Sequence, residues 1–189
     1  WAKKGLEVYG VDISQSMLDQ AMKTNKREGL NAKFIRQNVS KLRMSRKFDL
    51  VTSVFDALNH ILDKTELQEC FNRVYETLNK PGAFIFDMTF EAHHSWLNGR
   101  TKLYEYDNFY VISQPTYDEK TRIANFKERY FIKRGKFYEY LEENIKETNH
   151  QSKELEGMLK KVGFRRIKVY DAHSLEGLKK STRRGMFEA

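Results

Sequence analysis

The sequence predicts an α/β fold: a mostly parallel sheet lacking its first strand, with an inserted antiparallel β-sheet. Three observations carry this. Short, nearly continuous apolar runs alternate with amphipathic helical patterns, as strands covered by helices on both faces require. Those runs close on Asp12, Asn38, Asp56 and Asp87, which a parallel order brings to one rim, beyond the carboxyl ends of the strands where α/β sheets hold ligands. Between residues 99 and 150 the alternation gives way to aromatic and β-branched segments separated by turn signals. The chain thus divides into a core of residues 1–98 and 151–189 and an insertion of residues 99–150.

The opening WAKKG reads as the last turn of a helix stopped at Gly5, with lysines near its carboxyl end. The strand and glycine-rich turn that precede such a helix are therefore expected outside this chain. LEVYGVDISQSMLDQAMKTN is an apolar run to Asp12, then Ser14, then a helix over about 15–28 with Met17, Leu18, Ala21 and Met22 on one face, stopped by Gly29. A short strand over Lys33–Arg36 leads to Asn38, and a buried strand over Phe48–Val54 leads to a loop holding Phe55, Asp56, Asn59 and His60. Asp63 or Thr65 caps the next helix, whose packed stripe is Leu67, Cys70, Phe71, Val74, Tyr75 and Leu78 and whose end is set by Pro81–Gly82. AFIFDMTF is a further apolar strand, ending at Asp87. The insertion reads as three antiparallel strands, in KLYEYDNFYVIS, RIANFKERYFIK and KFYEYLEENIKETNH. Ser152 caps a last helix with Leu155, Met158, Leu159 and Val162 inward, and the strands FRRIKVYDAHS and RRGMFEA close the sheet, the second antiparallel.

A chain of 189 residues with 40% hydrophobic content suits one packed domain with an elaboration. The single Cys70 excludes a disulfide framework and a cysteine-based metal site, and fits a reducing, cytoplasmic setting. No apolar run reaches the ~18 residues of a membrane span and no signal peptide opens the chain, so no membrane association is expected. The charge of +8 is concentrated toward the ends, with 11 Lys/Arg against 5 acids in residues 1–50 and 10 against 5 in residues 151–189. Such clusters serve as solvated helix faces or as a phosphate-tracking surface. No metal is expected, because His60, His93, His94, His150 and His173 form no paired ligand motif and Asp56, Asp63 and Asp87 do not specify magnesium.

In order, GLEVYGVDISQSMLDQA, NAKFIRQNV, FDLVTSVFDALNHI and LNKPGAFIFDMT resemble strands two to five, with their flanking helices and loops, of the class I S-adenosylmethionine-dependent methyltransferases, specifically the small bacterial type with a β-rich insertion after the fifth strand. The resemblance covers nearly the whole chain and implies a Rossmann-like methyltransferase fold with S-adenosylmethionine as cofactor. It implies that Asp12 holds the ribose hydroxyls, that Ile13 and Met17 border the adenosine, that Asn38 with Val39 meets the adenine edge, and that Phe55 lines the methionine side with Asp56 nearby. There are two departures. Asn38 stands where the family more often has Asp, and the glycine-rich motif is absent, so weak cofactor binding and no activity are expected of these 189 residues taken alone.

In the resembling enzymes the insertion lies over the methyl-donor pocket and shapes acceptor binding. Phe109, Tyr130, Phe137 and Tyr138 are the aromatic candidates for that wall, each equally suited to packing the small sheet. The implied reaction transfers a sulfonium methyl group to an N, O or C nucleophile, so the protein has to align donor and acceptor and accept a proton; His60, His93 and His94 are candidate acceptors for it. The compact, aromatic, charge-balanced insertion favours a small-molecule methyl acceptor. An RNA or protein methyltransferase docking through the basic ends, and a nonenzymatic nucleoside- or protein-binding member, are the alternatives. Oligomeric state is left open.

Overall fold

In the computed structural model, which describes all 189 residues, Ala2–Lys4 form a 3-10 turn that ends at Gly5, whose φ of 79° is the left-handed conformation glycine supplies. Strand β1 (Tyr9–Asp12) runs into helix α1 (Gln15–Arg27) through Ser14, whose hydroxyl accepts from the Met17 amide. Strand β2 (Lys33–Arg36) pairs parallel with β1, setting Arg36 beside Asp12. Of the predicted apolar face of α1 only Leu18 becomes buried, and Met17 and Met22 stay 59% and 43% exposed. The reason is that α1 lies on a pair of strands, not on a broad sheet.

A second sheet has the order β3–β4–β10–β9, formed by β3 (Phe48–Ser53), β4 (Leu78–Thr89), β9 (Lys168–Asp171) and β10 (Arg184–Glu188). β3 and β4 are parallel, whereas β10 runs antiparallel to both of its neighbours. Helix α2 (Lys64–Thr77) is capped by Asp63, whose carboxylate accepts from the Glu66 amide at 2.8 Å. Its Leu67, Cys70, Phe71 and Val74 meet Phe84, Phe86 and Met88 of β4, Phe187 of β10, and Leu155 and Leu159 of α4 (Ser152–Val162). The rings of Phe86 and Phe187 stack at 4.7 Å. Each such side chain contributes on the order of 1.5–3 kcal/mol by leaving water. Burial pushes the Cys70 thiol up to about 12, as befits a core filler rather than a nucleophile.

Several expectations are corrected. The helix yields at Thr77 rather than at Pro81, because Leu78 already pairs with Phe48 at the start of β4; Gly82 lies within that strand, where a Cβ would stand 2.6 Å from the Asn79 carbonyl oxygen. Ser152 does not cap α4: Gln151 precedes the helix without a side-chain cap, and the Ser152 hydroxyl bonds Glu156 instead. Helix α3 (Glu91–Leu97) intervenes before the insertion. The insertion itself has four strands, β5 (Lys102–Tyr106), β6 (Phe109–Asp118), β7 (Ile123–Arg134) and β8 (Phe137–Thr148), in that order and antiparallel throughout. Asp107–Asn108 turn the first aromatic run back on itself, in keeping with the tight-turn preference of these two residues.

The two core sheets are separate. β1 and β3 present facing edges without a strand partner, and a cleft of about 890 Å³ lies between them. Tyr9 and Phe48 reach across it edge to face at 5.1 Å, with the Arg46 guanidinium over both rings. No helix is long and apolar enough to cross a membrane.

Candidate functional site

Asp12 ends β1 on the wall of this cleft, beside Ile13, Asn38, Val39 and His60. One Asp12 oxygen accepts the Ser14 amide at 2.8 Å, which orients the carboxylate, and the other has no protein partner. A half-buried carboxylate with a free oxygen at a strand's carboxyl end is suited to a diol, and the exposed Ile13 side chain beside it offers an apolar surface for a flat ring.

Asn38 is committed differently from expectation. Its side-chain oxygen accepts from the Ser40 amide at 2.9 Å and the Ser40 hydroxyl at 2.8 Å, while its amide nitrogen donates to Glu66 at 3.1 Å. Both oxygen lone pairs are thus used in capping the turn at Val39–Lys41, and one N–H and the neighbouring backbone remain to meet a ligand. Ser40 and Asn38 together hold the Glu66 carboxyl below its ordinary range.

Met17 lies outside the cleft wall, and Phe55 and Asp56 form a separate structure after β3. Both have positive φ, 61° and 52°, a left-handed turn that costs non-glycine residues on the order of 1–2 kcal/mol each. Asp87 on β4 holds it: its carboxylate accepts from the Phe55 amide at 3.1 Å and the Asp56 amide at 2.7 Å. Arg184 on β10 clamps the pair, donating to Asp87 and to Asp56 at 2.9 Å each. Burial raises the Asp56 carboxyl, opposed by the Arg184 charge. The turn leaves Phe55 80% exposed on the rim. The sequence showed Asp87 as a strand-end acid; nothing local pointed to Arg184.

The three candidate histidines occupy different settings. His60 is exposed on the cleft, with Nδ1 3.2 Å from the Lys146 carbonyl oxygen. His94 is buried, with Nε2 2.9 Å from Glu147, and Nδ1 accepts from the Asn149 amide at 3.3 Å. Both of its nitrogens are therefore engaged in joining α3 to the end of β8. His93 is partly buried and is pushed down to about 4, chiefly by burial and next by His94, so it is neutral near pH 7. Asn59, fully buried, adds a second junction: it donates to the Thr89 and Thr148 carbonyls at 3.0 and 2.7 Å and accepts from the Thr89 amide at 3.0 Å.

Strand register sorts the insertion aromatics. Tyr104, Val111, Tyr130 and Leu141 form one cross-strand row, and Tyr106, Phe109, Ile132 and Glu139 the next on the same face. Lower on that face, Tyr117, Ala124 and Glu147 are buried at the junction with α3. Phe137 shares this face but is 78% exposed at the far hairpin. Tyr138 lies on the opposite face, one residue out of phase, so the four aromatic candidates do not form one wall. Ser113 donates to Glu128 at 2.6 Å in the polar row between, and burial first, then Glu128, raises the Tyr104 and Tyr130 hydroxyls.

A family model described as a methyltransferase domain matches residues 1–82. A provisionally named methyltransferase of a Geobacillus species is 36% identical over 95 residues, 49% of the chain and 38% of that protein. Another, YqeM of Bacillus subtilis, is 27% identical over 173 residues, 89% of the chain and 68% of that protein. The crystal structure of an S-adenosylmethionine-dependent methyltransferase from Clostridium acetobutylicum superimposes with a TM-score of 0.87 at 26% identity, over 97% of the chain and 74% of that protein. The chain thus spans between about two fifths and three quarters of the length of these relatives.

Proposed function

We propose that the chain belongs to the class I S-adenosylmethionine-dependent methyltransferase family and that the protein transfers a methyl group to a small-molecule N, O or C nucleophile; the methyltransferase-domain match over residues 1–82 and the likeness to the relatives above support this reading. The observation that carries the reading is Asp12: an oriented carboxylate with one free oxygen at the end of β1. Asp12 would accept the ribose hydroxyls, and Ile13, Val39 and the remaining Asn38 N–H would border the purine. When bound, S-adenosylmethionine supplies a methyl group on a positive sulfonium, so the leaving group needs no further activation.

What remains for the protein is alignment, exclusion of water and acceptance of a proton. The rows of Tyr104, Phe109 and Tyr130 support the inserted sheet as the acceptor wall, since they offer apolar area with hydroxyls that stay neutral. His60, exposed on the cleft, and the neutral His93 remain the proton-acceptor candidates; His94 is engaged as a joint.

The test measures labelled methyl transfer by the protein expressed from its complete reading frame, offered small metabolites and RNA side by side. Asp12→Ala should weaken cofactor binding by roughly 1.5–3 kcal/mol, with thermal unfolding of the ligand-free protein unchanged. Unchanged affinity would refute the site, and label entering only RNA, with salt-sensitive binding, would refute the acceptor class.

A further inference from the structure

A second pocket, of about 350 Å³, shares no residue with the cleft and lies where the tip of the β6–β7 hairpin meets the end of β8 and the start of α2. Its wall carries Lys64, Lys120, Thr121, Arg122, Asn149 and His150. Two carboxylates lie close by: Asp118 accepts from the Lys120 amide at 3.0 Å and from the Thr121 hydroxyl at 2.9 Å. Glu154 pairs with Lys64 and stands 3.8 Å from the Arg122 guanidinium and 3.7 Å from His150 Nδ1. Three cations against two carboxylates leave one positive charge around the pocket, which suits an anion.

His150 points to what kind of anion. It is 2% exposed, and neither ring nitrogen has a hydrogen-bond partner; the other buried side-chain nitrogen or oxygen in that condition is Arg73 Nε. An unpartnered buried polar group costs on the order of 1–3 kcal/mol, so an imidazole kept in this state on the wall of a polar, basic pocket has a partner to gain. Burial lowers the His150 pKa against the opposing pull of Glu154, which keeps the ring neutral near pH 7, with one N–H to give and one lone pair to receive. Hydrogen phosphate has the matching set: charged oxygens that accept from lysine, arginine and imidazole N–H, and one P–OH that can donate to the other imidazole nitrogen.

We propose that this pocket binds a phosphate-class oxyanion, free or as a monoester, held by Lys64, Lys120 and Arg122 with His150 behind it. The site is independent of the methyl-transfer reading. Occupied, it would tie the hairpin tip to the core beside Asn149, a member of the His94 junction.

The experiment titrates the 189-residue protein with inorganic phosphate and, separately, with glycerol phosphate, against chloride at equal ionic strength. Binding is read by calorimetry, by thermal unfolding and by the ring-nitrogen resonances of ¹⁵N-histidine-labelled protein. Phosphate should raise the unfolding temperature beyond the chloride control and move one histidine signal, assigned to His150 by its loss in His150→Gln. Lys120→Gln, at an exposed position, and Arg122→Gly should each weaken phosphate binding about tenfold or more. Arg122 has φ 57°, which glycine adopts without strain, so that variant should fold at least as well as the parent. Tighter binding of the ester would identify a phosphomonoester as occupant, and equal binding free phosphate. A chloride response equal to that of phosphate, an unmoved His150 signal, or full phosphate affinity in both variants would overturn the proposal.

Discussion

Replacing Asp87 by Ala removes one carboxylate that accepts three hydrogen bonds at once, from the Phe55 amide at 3.1 Å, the Asp56 amide at 2.7 Å and Arg184 at 2.9 Å. Asp87 is 5% exposed, so water cannot take its place without rearrangement. Two charge-assisted backbone bonds and one guanidinium contact, each of ~1–2 kcal/mol net, give an expected loss of about 3–5 kcal/mol. Arg184 retains Asp56, which keeps the loss below that of a fully orphaned buried charge. Asp87→Asn keeps the shape and one acceptor and should lose about half as much. The left-handed Phe55–Asp56 turn, no longer held, should relax as well. Urea unfolding followed by circular dichroism measures the stability, and hydrogen exchange at the Phe55 and Asp56 amides measures the turn. Stabilities within ~0.5 kcal/mol of the parent, with both amides still protected, would refute the reasoning.

His93 binds its proton less tightly folded than unfolded, so its contribution to stability is complete above pH 6.5 and is lost as pH falls toward about 4. His93→Gln should flatten the stability profile across that window by up to ~2 kcal/mol, allowing for partial exposure; urea titrations at several pH values check this, and an unchanged slope counts against it. Asn59→Ala should cost about 2–4 kcal/mol and make the junction at Thr148 easier to cleave by limited proteolysis, because it deletes three buried bonds, two to Thr89 within the core and one to Thr148 of the insertion. Phe86→Ala, which opens the stack with Phe84 and Phe187, should lower stability by about 3–5 kcal/mol in thermal or urea unfolding, and a loss under ~1 kcal/mol would contradict the packing described.

The parts of the fold and site that were legible in the sequence depend on neighbours along the chain. Ser14 and Asp63 cap their helices by bonding an amide three residues on, the stripe of α2 follows from helical period, and Asp12 is placed at the end of β1 by the strand that carries it. Family resemblance rested on the same local runs. Where local signals competed, the reading slipped: the aromatic run through Asp107–Asn108 reads as one strand until the turn is allowed to divide it.

Tertiary structure decided the rest, because the deciding partners are far apart in sequence. Asn38 looked free to meet a purine until Glu66, 28 residues on, took its amide nitrogen and Ser40 its oxygen. Arg184 reaches Asp56 across 128 residues, and Glu147 reaches His94 across 53, turning a candidate base into a joint. Tyr138 carries the same chemistry as Tyr130, yet strand register sends the two to opposite faces. Composition and periodicity determine which segments become strands and helices and which residues sit at their ends. Which of those residues remain free to meet a ligand depends on which hydrogen bonds the assembled fold has already made.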